Sequence, residues 1–289
     1  METEVIMSTT CEMCGRALRP AERGRPRRYC SRACRTRAYR ARMAERPATV
    51  EARRQPPANA DAVLDRDVIV RAALACAHRE GVAAVSMRRI AADLGVGVMS
   101  LYRYVAGREE LNDLMVDTVF ADHPLPEPGP DGWRAKLELS ARQEWALHRR
   151  HPWLSQLVVA TTRPPNAPHL MAYTDWRMRA LAGHDLDFAT LTKIAIMIGT
   201  YLQSAAAPLA YETQAARRSR HTREQWTAAR RESFDRSIRE ARLPMVSEFG
   251  PEAFEAAEPD NIFEFGLHRM LDGIAVLLDH TSGTAAERP

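Results

Sequence analysis

From Asp65 to about His280, apolar residues recur every three or four positions, which is the spacing of one face of an α-helix. Glycines divide the pattern into short pieces as far as Gly107, and longer pieces follow. The sequence lacks the alternation of apolar and polar residues that is typical of strands. The chain is therefore predicted to be all-α.

The first three predicted helices are short and closely spaced. The inner face of the first carries five apolar residues: Ile69, Val70, Ala73, Leu74 and Ala77. Ser86 is a suitable N-cap for the second helix, and Gly95 permits the left-handed backbone of a tight turn after it. Leu101 and Val105 give the third helix an inner face. A helix, a turn of three or four residues and a second helix is the geometry that seats the second helix in the DNA major groove.

Longer amphipathic patterns follow this three-helix domain. A fourth helix is predicted at 111–122, and five longer ones are predicted at 133–150, 166–182, 187–207, 221–241 and 260–280. The segment 190–206 is apolar nearly all round, so we expect its helix to be buried on more than one side. The second half of the chain is therefore predicted to be a helical body.

Composition narrows the class of protein. Hydrophobic residues make up 45% of the chain and charged residues 27%, as in soluble globular proteins. No run approaches the roughly 18 apolar residues that suggest a membrane span, and the first residues show no signal-peptide pattern. We therefore expect a cytoplasmic protein with no membrane partner. The sequence has no Gly-rich phosphate loop, no HExxH and no GxSxG, so an enzyme is not expected.

The cysteines predict a metal site near the start of the chain. Cys11 and Cys14 form a C-x2-C pair, Cys30 and Cys34 form a C-x3-C pair, and fifteen residues separate the pairs. Two such pairs can supply four thiolates to one tetrahedral Zn²⁺, which leaves no open position for catalysis. A redox-responsive form of this site, disulfides and an iron–sulfur cluster are the alternatives. A reducing compartment and a segment too short for its own core favour structural Zn²⁺. Cys76 is expected to be a core residue.

The same segment is strongly basic. From Arg16 to Arg46 there are twelve arginines, no lysine and two acidic residues, Glu22 and Glu45. The chain as a whole prefers arginine to lysine, which explains the residue type but not the local shortage of acids. The block therefore predicts contact with a polyanion, and nucleic acid is the partner that we expect.

Residues 86–111, SMRRIAADLGVGVMSLYRYVAGREEL, resemble the DNA-binding domain of the tetracycline-repressor (TetR) family. TTRPP at 161–165 and FEFGLHRMLDGIAVLL at 263–278 resemble the C-terminal, ligand-binding half of the tetracycline-repressor branch. The cysteine segment lies outside the family pattern. The resemblance implies nine DNA-contacting residues: Ser86, Arg88, Val98, Met99, Ser100, Tyr102, Arg103, Tyr104 and Arg108.

The side chains suit the roles that the resemblance implies. The planar fork of Arg88 suits O6 and N7 of guanine, and Val98 suits the methyl group of thymine. Tyr102 and Arg108 match positions that contact phosphates. For residues 103–104 the alternatives are a solvated charge and a partly buried core residue.

The resemblance also implies a homodimer that binds a palindromic double-stranded DNA operator and a small-molecule inducer. Aligning the shared TRP places Val159 where the drug repressor has a metal-binding histidine, so tetracycline with Mg²⁺ is not expected. A different, mostly apolar molecule is the better candidate. Seven residues are predicted to line its pocket, and ordinary core packing is the alternative for each: Trp133, Trp145, Trp153, Met171, Trp176, Met197 and Tyr201.

The predicted organisation has five parts. They are a four-cysteine, arginine-rich module at 1–46, a linker at 47–64, a helix-turn-helix domain at 65–110, a ligand-binding and dimerisation body at 111–282 and a disordered tail at 283–289. The leading functional prediction is a ligand-responsive DNA-binding regulator, a repressor that an inducer releases from its operator. The alternative is an adaptor whose zinc module recruits a protein partner, with DNA binding secondary.

Overall fold

The computed structural model describes residues 10–18, 28–44, 64–158, 163–219 and 221–286. The chain forms two compact units, Met1–Asp61 and Ala62–Pro289. All the long elements in the described residues are helices, which confirms the all-α prediction. The predicted linker, 47–64, lies outside the described residues except at its last position.

The first unit contains a short hairpin-like segment and helix α1 (Arg32–Ala44). An isolated bridge pairs Thr10 with Ala17, and Gly15 has a φ of +69° in the turn between them. Its backbone N donates to the carbonyl of Cys11 at 2.9 Å. A glycine takes this left-handed backbone without a Cβ penalty, so Gly15 permits the tight turn that the first cysteine pair needs.

The second unit begins with the head, which we define as α2 (Arg66–Glu80), α3 (Met87–Asp93) and α4 (Val98–Leu101). A 3-10 turn, Val82–Ala84, joins the first two helices. The side chain of Asp65 accepts from the backbone N of Val68 and caps α2, and Ser86 caps α3 in the same way. Local side-chain chemistry therefore sets the start of both helices.

The turn between α3 and α4 has the predicted form. Gly95 has a φ of +69°, and the backbone N of Val96 donates to the carbonyl of Ala91 at 3.0 Å. Val96 is half-buried against the core of the head. The third helix is shorter than expected, because α4 ends at Leu101 and Val105 is buried beyond its end.

Helix α5 (Arg108–Ala121) follows the head and leads to the body, which we define as eight further helices. These are α6 (Trp133–Arg150), α7 (Leu154–Leu157), α8 (Pro168–Leu181), α9 (Phe188–Ser219), α10 (Arg223–Ala241), α11 (Pro244–Ser247), α12 (Pro251–Ala256) and α13 (Pro259–Ala286). The five long helical patterns of the sequence are thus all present. The last helix runs into the segment predicted as a disordered tail, because its end, TSGTAA, contains no proline to stop it.

Helix α9 also runs past its predicted end at residue 207. Pro208 lies inside it and removes one backbone donor, but Ala206 and Ala210 on either side are buried, so packing maintains the helix. By length and composition α9 is able to cross a membrane. It contacts α6, α8 and α13, as the central helix of a packed body does.

The core of the head continues into the body. Its buried cluster includes Ile69, Ile90 and Leu101 of the head together with Trp153 and Tyr173 of the body. Helix α5 joins the two, with Leu111, Met115, Val116, Val119 and Phe120 all buried. The boundary predicted between residues 110 and 111 therefore falls inside one helix, whose apolar face packs on the head. A second cluster fills the centre of the body between α6, α9 and α13.

Candidate DNA interface, metal centre and ligand-binding body

Two neighbouring arginines of α3 have different surroundings. The guanidinium of Arg89 donates to Glu80 at 2.8 Å and to Asp93 at 2.9 Å, and hydrogen bonding to Asp93 raises its pKa. Arg88 is exposed, and within the described part of the chain no hydrogen bond or ion pair occupies its guanidinium. Arg89 is therefore bound within the head, whereas Arg88 is free to bind an external acceptor.

The start of α4 presents side chains of several kinds. Met99 is 76% exposed and Tyr102 is 44% exposed. Val98 and Ser100 are half-buried, and Val98 packs against the core of the head. Ser86 is half-buried and its hydroxyl is engaged as the cap of α3. The exposed residues are the ones available for contact with DNA.

The residues after α4 combine structural and exposed positions. Tyr104 is half-buried against the core, and the guanidinium carbon of Arg103 lies 5.8 Å from the centre of its ring. Arg108 is exposed, yet it donates to the carbonyl of Val82 at 3.3 Å. Tyr104 is thus partly a core residue, in line with the alternative considered for it.

One ion pair between the head and α5 was missed by the sequence reasoning. Arg66 pairs with Glu110 and also donates to the carbonyl of Tyr104 at 3.3 Å. Glu110 in turn accepts from the backbone N of Ala106. The pair fixes the loop between α4 and α5. No local signal reveals it, because the two residues lie 44 positions apart.

The first unit brings the four predicted cysteines together. The sulfur atoms of Cys11, Cys14, Cys30 and Cys34 all lie within 4.8 Å of one another, and none of the four is in a disulfide. Two of the separations are 3.4 Å, between Cys14 and Cys30, and 3.6 Å, between Cys30 and Cys34. Tetrahedral Zn²⁺ with bonds of about 2.3 Å needs sulfur atoms about 3.8 Å apart. The donor set therefore fits one tetrahedral metal ion.

The electrostatics of the cluster also favour a cation. A hydrogen bond from the backbone of Cys30 lowers the pKa of Cys11 to about 6. Hydrogen bonds to Cys14 and Cys34 raise the pKa of Cys30 to about 12. Four thiolates at these distances repel one another, so a divalent ion is what allows all four to be deprotonated.

An ion pair also stabilises the first unit. Arg28 forms a two-point ion pair with Glu12, and one of its hydrogen bonds measures 2.9 Å. The backbone N of Glu12 also donates to the carbonyl of Arg28 at 3.1 Å. These contacts join the segment of the first cysteine pair to that of the second.

The predicted pocket residues do not line one cavity. Trp145 stacks on Phe263, with ring centres 4.5 Å apart, and Trp153 and Trp176 are also buried. Trp133 is half-buried, and the hydroxyl of Tyr201 donates to the carbonyl of Ile262 at 2.6 Å. Met171 and Met197 are 50% and 42% exposed, so they do not face an internal cavity here. Burial of Trp145, Trp153 and Trp176 is compatible with the core-packing alternative, and the pocket assignment stays a prediction.

Clefts in the described residues of the second unit include the following two. One, of about 60 Å³, lies between the end of α2 and the distal part of α9, where Trp153 is the single predicted pocket residue. The other, of about 200 Å³, lies between α2 and α5 and is lined mainly by Asp67, Arg71, Asp117 and Asp122. Val159, the position aligned with the drug repressor's histidine, lies outside the described residues.

A fully buried polar cluster lies inside the body. Arg177 of α8 donates to Glu144 at 2.6 Å and to the hydroxyl of Ser140 at 3.0 Å. Burial raises the pKa of Glu144, but the charge and hydrogen bond of Arg177 act together with His148 to lower it by more, so the net pKa is lowered. His148 is also fully buried, and neither ring nitrogen has a hydrogen-bond partner in the described structure. Ser140, Glu144 and His148 are spaced by four in the sequence, which is the signal that sequence reasoning overlooked.

A helix-turn-helix head with an exposed arginine, joined to a larger helical body, defines a DNA-binding transcriptional regulator. Family comparisons agree. Residues 69–113 match the profile described as "Bacterial regulatory proteins, tetR family", and residues 125–278 match "Tetracyclin repressor-like, C-terminal domain". The chain belongs to the TetR family, whose members are ligand-responsive transcriptional repressors.

Individual relatives support this assignment. The chain is 38% identical to the HTH-type transcriptional repressor DrrR1 of Streptomyces coeruleorubidus, over 81% of this chain and 85% of the relative. It is 26% identical to the class A tetracycline repressor of Escherichia coli, over 73% and 91%. Among solved structures, ActR of Streptomyces coelicolor in complex with actinorhodin has a TM-score of 0.62 and 27% identity, over 75% and 98%.

Proposed function

We propose that this chain acts as a homodimeric repressor, with one head on each half-site of a palindromic operator. The observation that carries the proposal is the contrast within α3: Arg89 is bound by two carboxylates, while Arg88 is exposed and unpaired in the described structure. A free guanidinium at the start of this helix suits bidentate hydrogen bonding to guanine.

The remaining exposed residues take complementary roles. Met99, together with the accessible part of Val98, makes apolar contact with thymine methyl groups. Tyr102 and Arg108 contact phosphates and fix the register of the head on the duplex. Arg108 exchanges its weak bond to the carbonyl of Val82 for a phosphate oxygen when DNA is bound.

Exposed apolar side chains on two long helices support the homodimer. Helix α13 exposes Ile262, Phe265, Val276 and Leu277, and α9 exposes Met197. A two-fold axis next to these helices would bury them in a four-helix contact and set the two heads about one DNA turn apart.

A small molecule in the body is the proposed inducer. The structure of ActR with (S)-DNPA, which is 27% identical over 76% of this chain, supports small-molecule control in this branch. Binding in the body would favour a dimer in which the separation of the two heads no longer matches the operator. We place the protein in the cytoplasm, with no membrane partner, because its operator DNA is there.

The decisive measurement compares two variants on DNA from upstream of the chain's own gene. Arg88→Ala is expected to weaken specific binding by about 5-fold to 150-fold, the loss of one bidentate base contact. Arg89→Ala removes the same charge from an internal ion pair and is expected to have a much smaller effect. Fluorescence anisotropy against specific and scrambled duplexes measures both. Equal losses in the two variants would show that Arg88 does not read a base.

We further propose that Cys11, Cys14, Cys30 and Cys34 hold one structural Zn²⁺. Their sulfur separations and the charge balance of the cluster support this ligand set. When bound, the ion cross-links two segments of the first unit and supplies no catalysis.

Metal analysis of freshly purified protein should give one zinc per chain, and the double variant Cys30→Ser, Cys34→Ser should contain none. Cys76→Ser is the control. Because Cys76 is buried in the head, this substitution is expected to leave the zinc content unchanged. Native protein free of zinc would refute the site.

A further inference from the structure

Helix α1 has a buried side and a basic side. Cys34 and Ala38 are buried, one helical turn apart, whereas Arg32, Arg35 and Arg37 are exposed. The side of α1 that faces away from the cysteine cluster is therefore occupied by guanidinium groups.

Within the described residues, the charge of these three arginines has no acidic counterpart. In the described residues of the first unit the acidic side chain is Glu12, and it pairs with Arg28. Within that part of the structure, none of the three exposed arginines of α1 has an ion-pair partner. Solvent-exposed charges of one sign, left unpaired, attract a polyanion.

The position of α1 in the chain identifies the polyanion. About twenty residues separate the end of α1 from the start of the head, and a chain of that length spans at most about 70 Å. This is about two turns of duplex DNA. Whenever the head occupies its operator, the first unit is thus held at high effective concentration near the neighbouring phosphates. Guanidinium forks bind phosphate oxygens in pairs and carry no base specificity of their own.

We propose that the surface of α1 formed by Arg32, Arg35 and Arg37 binds phosphates of the DNA that flanks the operator. It adds salt-sensitive affinity without reading sequence. The inference rests on operator binding by the head and extends it to a second contact with the same duplex. Zn²⁺ supports this contact indirectly, since it fixes the helix that carries the three arginines.

The test uses the full-length zinc-loaded protein and two duplexes that contain the operator. One is trimmed to the footprint of the head and the other has 20 base pairs added on each side. Anisotropy titrations over a range of KCl concentrations give the slope of log K against log [salt]. Changing the three arginines together to Gln removes six phosphate contacts from the homodimer and is expected to reduce the size of that slope by about five on the long duplex, since each lost contact contributes about 0.9. On the trimmed duplex the slopes of variant and wild type are expected to be equal.

A matched control removes the same charge elsewhere. Arg218, Arg231 and Arg239 are exposed on α9 and α10, and their joint change to Gln should leave the slope on the long duplex unchanged. Zinc content and circular dichroism equal to wild type show that the α1 variant retains its fold.

The outcomes separate the two proposals. If the wild-type protein binds neither duplex specifically, operator recognition itself is refuted. Specific binding with an unchanged slope in the α1 variant would overturn this inference alone, and an acidic protein surface would then be the partner class that fits the charge.

Discussion

Among the described residues of the first unit, the buried apolar side chains are Cys11, Cys34 and Ala38, and two of these are proposed metal ligands. The second unit buries continuous apolar clusters from α2 to α13. The first unit is therefore expected to depend on the proposed metal cross-link, whereas the second depends on packing. Because the two sources of stability differ, each unit responds to a perturbation that leaves the other intact.

The largest expected effect follows from removing the metal. A strong zinc chelator should unfold the first unit completely, because the four cysteines then lose the ion that joins them and few buried apolar side chains remain to hold the unit together. The thermal transition of the second unit should not move. Limited proteolysis with mass spectrometry should show new cleavage before residue 62, and the same treatment of Cys76→Ser should give the same pattern. If the first unit stays resistant to proteolysis after its zinc has been removed, its stability does not depend on the metal.

The second largest effect is expected from an unpaired buried charge in the second unit. Arg177→Met leaves Glu144 buried without its partner, and we expect a loss of about 3–5 kcal/mol in the free energy of unfolding. Combining it with Glu144→Leu removes the stranded charge and should restore most of that stability. Urea titration of single and double variants provides the measurement. If the double variant is no more stable than the single one, the cost comes from lost packing instead of the unpaired charge.

A smaller effect depends on pH at the junction of head and body. Burial, followed by the charges of His78 and Arg150, lowers the pKa of His151 to about 4, and its Nδ1 lies 3.0 Å from Nε2 of His78. The unfolded state, with a pKa near 6.5, binds the proton first as pH falls. The free energy of unfolding therefore falls as the pH drops from about 6.5 towards 4, by up to about 3 kcal/mol. His151→Gln should flatten this part of the curve in thermal unfolding across pH, and an unaltered curve would assign it to other groups.

The smallest expected effect concerns the ion pair between the head and α5. Arg66 and Glu110 are partly exposed, with side-chain exposures of 53% and 33%, so Arg66→Gln should cost less than about 1 kcal/mol. Its consequence should appear in local hydrogen exchange of the loop between α4 and α5. A loss as large as that of Arg177→Met would mean that exposure does not separate weak from strong pairs in this unit.

The sequence allowed the helices to be predicted because their signals are local. Apolar spacing located the five long helices of the body, and Ser86 and Gly95 marked the turn that defines the head. Pro208 led to a wrong prediction only for the end of α9, because packing outweighs the loss of one backbone hydrogen bond there. The boundary after residue 110 could not be found locally, since burial of α5 depends on partners in both the head and the body.

The candidate site residues were predictable from the sequence only where their contacts are local. The cysteine spacing was sufficient to bring four sulfur atoms together, because all four lie within one short segment. The contact between Arg177 and Glu144 joins residues 33 positions apart, and which of two adjacent arginines stays free depends on Glu80 and Asp93. The pocket residues stay a prediction, because their assignment depends on tertiary contacts that no local pattern in the sequence reveals.

The continuous packing of the head, α5 and the base of the body restricts how hybrid regulators are made from this chain. A fusion that joins a foreign body after residue 110 would divide α5 and lose the apolar face on which the head rests. A joint between Asp61 and Ala62 instead separates the two compact units. The interchangeable part of this regulator is therefore its small cysteine unit, while the head and body are exchanged only together.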